Sequence, residues 1–266
     1  GCFVHTARMH TDADTSLRRL AWRTRKLLQA AAMAVVACIA AAQPLPPLPD
    51  PSALARQLLA GERGAAVVAI TRGSQLLQGT AGSLPPGTDA ATAMFEMGSV
   101  SKVFTGLLLA QAVERGELGL NDTLGQRWPQ RVPAGTPAAT LTLRQLVTHS
   151  ACLPRTLAAD GPAAVHEIRN LTAAQLWAAL PTVKLRGTAP CAPLYSNLGF
   201  ALLGSLLVEH YGQPWEQLVR ERIAAPAGMQ DTGQTLDAAR RARLLPAFVA
   251  SREAPLWDME AYAGAG

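Results

Sequence analysis

Between Ser99 and Arg115 the apolar residues Val100, Val103, Phe104, Leu107, Leu108, Leu109 and Val113 recur at helical spacing and cover nearly every side, with Gly116 as a stop. A helix apolar all round is expected to be buried. A second largely apolar helix is predicted over Leu198 to Tyr211, stopped by Gly212, and another begins at Pro214 and runs to Ile223. Thr142 with Gln145, and Thr172 with Gln175, have the spacing of capping boxes and predict helices over 143–148 and 173–180. A short amphipathic helix is predicted over Ala53 to Leu59, with Ser52 as its cap. The pattern changes to strand over Ala65 to Thr71 and again over Gln75 to Thr80, and Arg72-Gly73-Ser74 between them has turn chemistry, so the pair reads as a β-hairpin. Residues 82–89 are loop, and neither a repeat nor an internal linker divides the rest of the chain. The expectation is one domain over residues 52–266 of α/β (α+β) class, a hairpin beside many helices.

The first 42 residues stand apart. They hold six basic side chains against Asp12 and Asp14, and an Ala-rich apolar run from Leu27 to Ala42 follows the basic stretch Arg18 to Lys26. That order reads as a secretory leader, with cleavage after Ala42 or, at the lipobox-like Val35-Val36-Ala37-Cys38, a lipid anchor on Cys38. Residues 43–51 form a Pro-rich linker. The chain as a whole carries +5, but only +1 remains from residue 43 onward, so the high pI belongs to the leader and no nucleic-acid footprint is expected. Four cysteines without any C-x-x-C exclude a Cys-rich zinc module, and no metal or cofactor site is expected. The expected location is extracytoplasmic or periplasmic, with membrane contact only through the leader or a lipid on Cys38.

The candidate chemistry begins at Ser99 and Lys102. Three residues apart, the two side chains share a helix face, and the N-terminal end of the helix favours negative charge on the serine oxygen. Burial of the lysine would lower its pKa toward that of a usable proton acceptor. The same pair also fits a capping serine and a snorkelling lysine. Farther on, Tyr195-Ser196-Asn197 precedes the Leu198 helix. The phenol can relay a proton and the Asn197 amide can both donate and accept, although a buried tyrosine followed by an Asn cap has the same appearance.

Taken together, FEMGSVSKVFTG (95–106), LTLRQLVTHSACLP (141–154), LYSNLGFALLG (194–204) and PAGMQDT (226–232) resemble the penicillin-recognising serine hydrolases. The similarity is strongest to class C β-lactamases and their D-alanyl-D-alanine carboxypeptidase and esterase relatives. The resemblance implies Ser99 as nucleophile with its own N–H as an oxyanion donor, Lys102 and Tyr195 as proton-transfer partners, and Asn197 as a substrate-binding residue. It also implies a β-lactamase/DD-peptidase-like fold, a helical region with an antiparallel sheet of which only the N-terminal hairpin is present. The family's K-T-G or H-x-G triad does not follow Tyr195, so the sequence reads as truncated at its C-terminus. Ala151-Cys152 stands where the family has Ser-Gly, Arg155-Thr156 where class C enzymes soon have glutamine, and Cys191 lies close to Tyr195. In an oxidising compartment Cys152 and Cys191 could pair.

His149 is expected to be a structural hydrogen-bonding residue. His166-Glu167 lacks the second histidine of a zinc protease, Glu167 to Asn170 only faintly matches a deacylating loop, and Asp231-Thr232-Gly233 occurs once and outside a strand. The expected function is an exported serine hydrolase that forms an acyl-enzyme on a peptidoglycan stem peptide, a β-lactam or an ester. The alternative is a non-catalytic penicillin or muropeptide binder, or an inactive remnant.

Overall fold

The structure is a computed structural model, and it describes residues 24–29, 45–157, 171–249, 252–254, 256 and 262–265. The chain divides into two units, Gly1–Pro49 and Asp50–Gly266. In the first, residues 24–29 are helical and 45–49 have no regular structure. The expected cleavage site and Cys38 lie outside the described residues, as do His166, Glu167 and Asn170. Among the described residues, no helix is long and apolar enough to cross a membrane.

The second unit opens with α1, Pro51–Leu59. Its cap is Asp50, not Ser52: the Asp50 carboxylate accepts from the Ser52 N–H at 2.9 Å, and Pro51 fills the first helical position, where no N–H is needed. The hairpin comes next as β1, Ala65–Arg72, and β2, Gln75–Gly82, paired antiparallel from Ala65↔Gly82 to Arg72↔Gln75. The two-residue turn places Gly73 at φ 58°, a left-handed conformation that glycine adopts without strain. α1 lies against this hairpin so closely that a Cβ on Gly79 would collide with the backbone of Pro51 and Ser52.

The helical part is built on α2, Ser101–Glu114, and on the later long helix that packs against it. Between them come α3, Leu124–Arg127, α4, Leu143–Val147, and α5, Ala173–Ala179. The boxes expected at Thr142/Gln145 and Thr172/Gln175 are both formed, and a third at Thr123/Gln126 opens α3. α6, Asn197–Tyr211, is buried from Leu198 through Gly204 and again at Leu206 and Leu207, and it ends at Gly212 in the left-handed conformation. α7, Trp215–Val219, continues into a π-helical turn over Arg220–Ala224.

Two further expectations are corrected. α2 is buried on one side only: Leu108 and Ala112 are sealed, but Val103 and Leu107, and Val100 just before the helix, are 59, 45 and 55% exposed. Apolar periodicity reports which side chains are apolar, not which of them a neighbour reaches, and α6 and α7 reach only one side. The N-terminal hairpin is also not the only one, because β3, Ala247–Val249, pairs antiparallel with β4, Arg252–Ala254. Before them lies α8, Ala238–Ala242, capped by Asp237.

The segment that leads into Ser99 is tethered from this late region. Met94 bridges Leu244 in parallel, its N–H donating to Arg243 O at 3.0 Å and its carbonyl accepting from Leu245 N at 2.9 Å. Arg243 also donates to Thr92 O and to the Asp231 carboxylate, which holds Arg240 as well. Asp231, the acid of the D-T-G triplet, is thus a tie between surface arginines.

Candidate active site

Ser99 sits on a 3-10 turn, Gly98–Val100, that leads into α2, so it precedes the α-helix proper by two residues. Its side chain faces solvent, while Lys102, one turn on, is 8% exposed. The Lys102 ammonium donates to Ser99 Oγ at 3.3 Å and to Asn197 Oδ1 at 2.8 Å, and also to the carbonyl of Ala265. Burial in low dielectric pushes this ammonium below its ordinary pKa. The neighbouring Tyr195 phenol pulls part of the way back, and the Arg155 charge adds to the depression.

Tyr195 comes to the same point from the other side of the site. Its hydroxyl lies 2.7 Å from Ser99 Oγ, its ring centroid is 4.8 Å from Lys102 Nζ, and its side chain is partly exposed. Burial would raise the phenol pKa, but the adjacent Lys102 ammonium, the hydrogen bond with Ser99 and the charge of Arg155 outweigh it and leave the phenol below its ordinary value. The four residues singled out in the sequence, Ser99, Lys102, Tyr195 and Asn197, therefore meet around one oxygen and one ammonium.

Local folding explains the convergence. Ser196, not Asn197, caps α6: its Oγ accepts from Gly199 N at 2.9 Å and donates to Pro154 O at 2.6 Å. Asn197 is then the first residue of the helix, and its side chain is left free to reach Lys102. The preceding loop is laid along the 149–155 segment by Cys191 N to Ser150 O, Leu194 N to His149 O and Leu198 N to Arg155 O, at 3.1, 2.8 and 3.0 Å. Cys152 and Cys191 are joined as a disulfide across the same seam, with Cα atoms 5.8 Å apart.

His149 has the structural role expected of it. It ends α4 at φ 58°, accepts from Ser196 N at Nδ1 at 3.1 Å, and stacks obliquely on Tyr195 and Phe200. An accepting Nδ1 requires an unprotonated nitrogen, and burial together with the Lys102 charge keeps the imidazole below its ordinary pKa.

Two elements of the site have no mark as functional residues in the sequence. The carbonyl of Ala265 belongs to a tail whose Gly264 carbonyl also accepts from Thr105 Oγ1 at 2.8 Å. A backbone acceptor leaves no side-chain signature. The glycines of that tail are the available signal, because Gly264 packs directly on Gly204 of α6. The other is Arg155, whose guanidinium stands 5.0 Å from the Tyr195 ring centroid.

Comparison with known proteins shows the family of the chain. The family model described as Beta-lactamase matches residues 52–266. Among curated relatives, the chain is 35% identical over 185 residues to the Escherichia coli D-alanyl-D-alanine-carboxypeptidase/endopeptidase AmpH, covering 66% of this chain and 46% of the relative. It is 32% identical over 141 residues to an Escherichia coli beta-lactamase, covering 52% and 34% of the two chains. The chain thus spans about half the length, or less, of these two relatives. Among solved structures, the Beta-lactamase/D-alanine Carboxypeptidase from Yersinia pestis superposes with a TM-score of 0.62 at 27% identity, over 76% of this chain and 58% of that one. A class C beta lactamase from Rhodobacter sphaeroides gives 0.66 at 22% identity, over 82% and 60%, and shares the fold.

Proposed function

The chain belongs to the beta-lactamase family, and from that premise we propose that it is a serine hydrolase working through an acyl-enzyme on Ser99. The observation that carries the reading is the single Ser99 oxygen within hydrogen-bond reach of both the Tyr195 hydroxyl and the Lys102 ammonium, at 2.7 and 3.3 Å. An isolated serine hydroxyl is a weak nucleophile at neutral pH, and a base within about 3.2 Å is what activates it. Tyr195 takes the Ser99 proton as Oγ attacks a substrate carbonyl. The proton passes to the leaving group, and water then releases the acyl chain by the reverse route. Lys102 holds both oxygens electrostatically, and Asn197, already fixed by the ammonium through Oδ1, has its amide N–H groups left to meet a substrate carbonyl.

The substrate we assign is a peptidoglycan stem peptide ending in D-Ala-D-Ala, with a β-lactam as its structural mimic and an ester third. The similarity to AmpH, a carboxypeptidase and endopeptidase by name, supports that order. The basic stretch and apolar run ahead of residue 43 support export to the compartment where such peptides lie. Labelling with a fluorescent penicillin, followed by chase, tests the reading: a covalent adduct that forms on the parent chain and turns over is expected, with none on Ser99→Ala. Equal labelling of Ser99→Ala removes Ser99 as nucleophile, and an adduct that never turns over identifies a penicillin or muropeptide sensor.

A further inference from the structure

Three cationic or basic groups surround the Tyr195 ring, each from a different element. Lys102 of α2 lies 4.8 Å from its centroid, Arg155 of the loop after α4 lies 5.0 Å away, and the His149 ring at the end of α4 is centred 4.8 Å away. His149 accepts at Nδ1, and burial and the Lys102 charge keep its pKa below the ordinary value, so the fixed positive charges beside the phenol are those of Lys102 and Arg155. Among the described residues, no carboxylate is hydrogen-bonded or ion-paired to Lys102, Tyr195 or Arg155. Arg155 has no ion pair there to hold it, yet its position is not loose. Its carbonyl accepts from Leu198 N at 3.0 Å, and the residues on either side, Pro154 and Thr156, are tied down or buried, Pro154 by the Ser196 hydroxyl. The backbone of Arg155 is thereby locked to the first turn of α6, close beside Tyr195 itself.

We propose that Arg155 is a positioning residue for the reaction: its guanidinium, standing over the Tyr195 ring, keeps the phenol aimed at Ser99 Oγ and stabilises the negative charge that gathers on the phenol oxygen when it acts as base. A cation over an aromatic face is attracted by the ring, and the attraction grows when the ring carries an oxyanion. Burial alone would raise the phenol pKa, and Lys102 already donates to three acceptors, so a second cation 5.0 Å from the ring centroid, carried on a locked backbone, supplies stabilisation that the lysine shares out. This rests on the role of Tyr195 given above.

The test separates the two readings because Tyr195 can be titrated without any turnover. The chain has three tyrosines. Tyr211 is raised by its burial and its contact with Glu117, and Tyr262 is pushed up to about 12 by burial, so Tyr195 is the first to ionise. Tyrosinate absorbance of the intact protein should show one early transition that disappears in Tyr195→Phe. In Arg155→Gln that transition is expected to move up by roughly 0.5–1 pH unit, and Arg155→Lys should restore most of the shift. The basic-side dependence of the penicillin labelling rate should move in step, with labelling at neutral pH slowed several-fold. An Arg155→Gln transition that coincides with the parent overturns the proposal, as does a variant that loses only substrate affinity at an unchanged rate of acylation. If the transition moves while no penicillin labels the parent, the charge coupling stands and it is the hydrolase reading that fails.

Discussion

Gly264→Ala tests the contact by which the tail delivers a carbonyl to Lys102. A methyl group built at Gly264 would lie 2.9 Å from both the Gly204 Cα and the Phe200 carbonyl, and 3.1 Å from Thr105 Oγ1. The first two are backbone atoms of α6, a long helix buried along most of its length, so the tail must be the side that yields. Forcing one extra methyl into a packed contact costs about 1–3 kcal/mol. Retreat of the tail relieves part of that, but it stretches Gly264 O away from Thr105 and Ala265 O away from the Lys102 ammonium. A neutral bond is worth about 0.5–1.5 kcal/mol and one to a charged group about 1.5–3 kcal/mol, so neither route escapes a loss. A net destabilisation of about 2–3 kcal/mol is expected, which for a domain of this size is a fall in melting temperature of about 4–12 °C. The matched control is Gly106→Ala, in the interior of α2, where an added Cβ meets nothing within 4 Å and removal of a helical glycine should stabilise by about 0.5–1 kcal/mol. Thermal unfolding followed by circular dichroism reads both variants. A Gly264→Ala protein that melts with or above Gly106→Ala would refute the claim that the tail is packed on α6 at all.

Reduction of the Cys152–Cys191 bridge should cost about 4 kcal/mol in the chain-entropy account, since the loop it closes spans 39 residues. Thermal shift with and without reductant measures the loss, and peptide mass mapping of the alkylated protein checks the pairing: alkylation of Cys152 and Cys191 themselves before reduction would contradict it. For His149 the folded pKa lies below the free value of about 6.5. As pH falls through that window the unfolded chain binds the proton first, so stability is fully present above about 6.5 and declines toward the folded pKa. His149→Gln keeps an acceptor for the Ser196 N–H but no longer titrates, and its melting temperature should follow that of the parent down to neutral pH and then fall less steeply. Parallel curves would mean that the imidazole is not coupled to folding.

Much of the site is legible in the sequence because the relevant distances are set by local periodicity. Ser99 and Lys102 are one helical turn apart whatever the rest of the fold does, and Tyr195 and Asn197 flank the residue that caps α6. What joins the two halves is not legible in the same way. The carbonyl of Ala265 is anonymous, and its approach depends on the absence of side chains at Gly204 and Gly264, two positions that lie 60 residues apart. The capping boxes at Thr142 and Thr172 are readable because both partners lie within one turn. At α1 two capping residues, Asp50 and Ser52, compete within three positions, and only Pro51, fit for the first helical position, favours the aspartate. β3 and β4 are three residues each, too short for alternation to register.

The acceptors gathered on Lys102 set the electrostatics that the proposed base on Tyr195 requires. Ser99 Oγ, Asn197 Oδ1 and the Ala265 carbonyl are all uncharged, so among the described residues the buried ammonium is hydrogen-bonded but not neutralised. A carboxylate in any of those places would form a buried ion pair and hold the lysine protonated. Without one, the positive charge is left to act on whatever oxygen nearby can become negative, and the two that can are Ser99 Oγ and the Tyr195 phenol. The same arrangement accounts for how firmly Tyr195 is fixed, with hydrogen bonds to the 149–155 segment on both sides of it and a disulfide across the seam. The phenol held in this way stays within the field of the Lys102 ammonium, whose Nζ is 4.8 Å from the ring centroid.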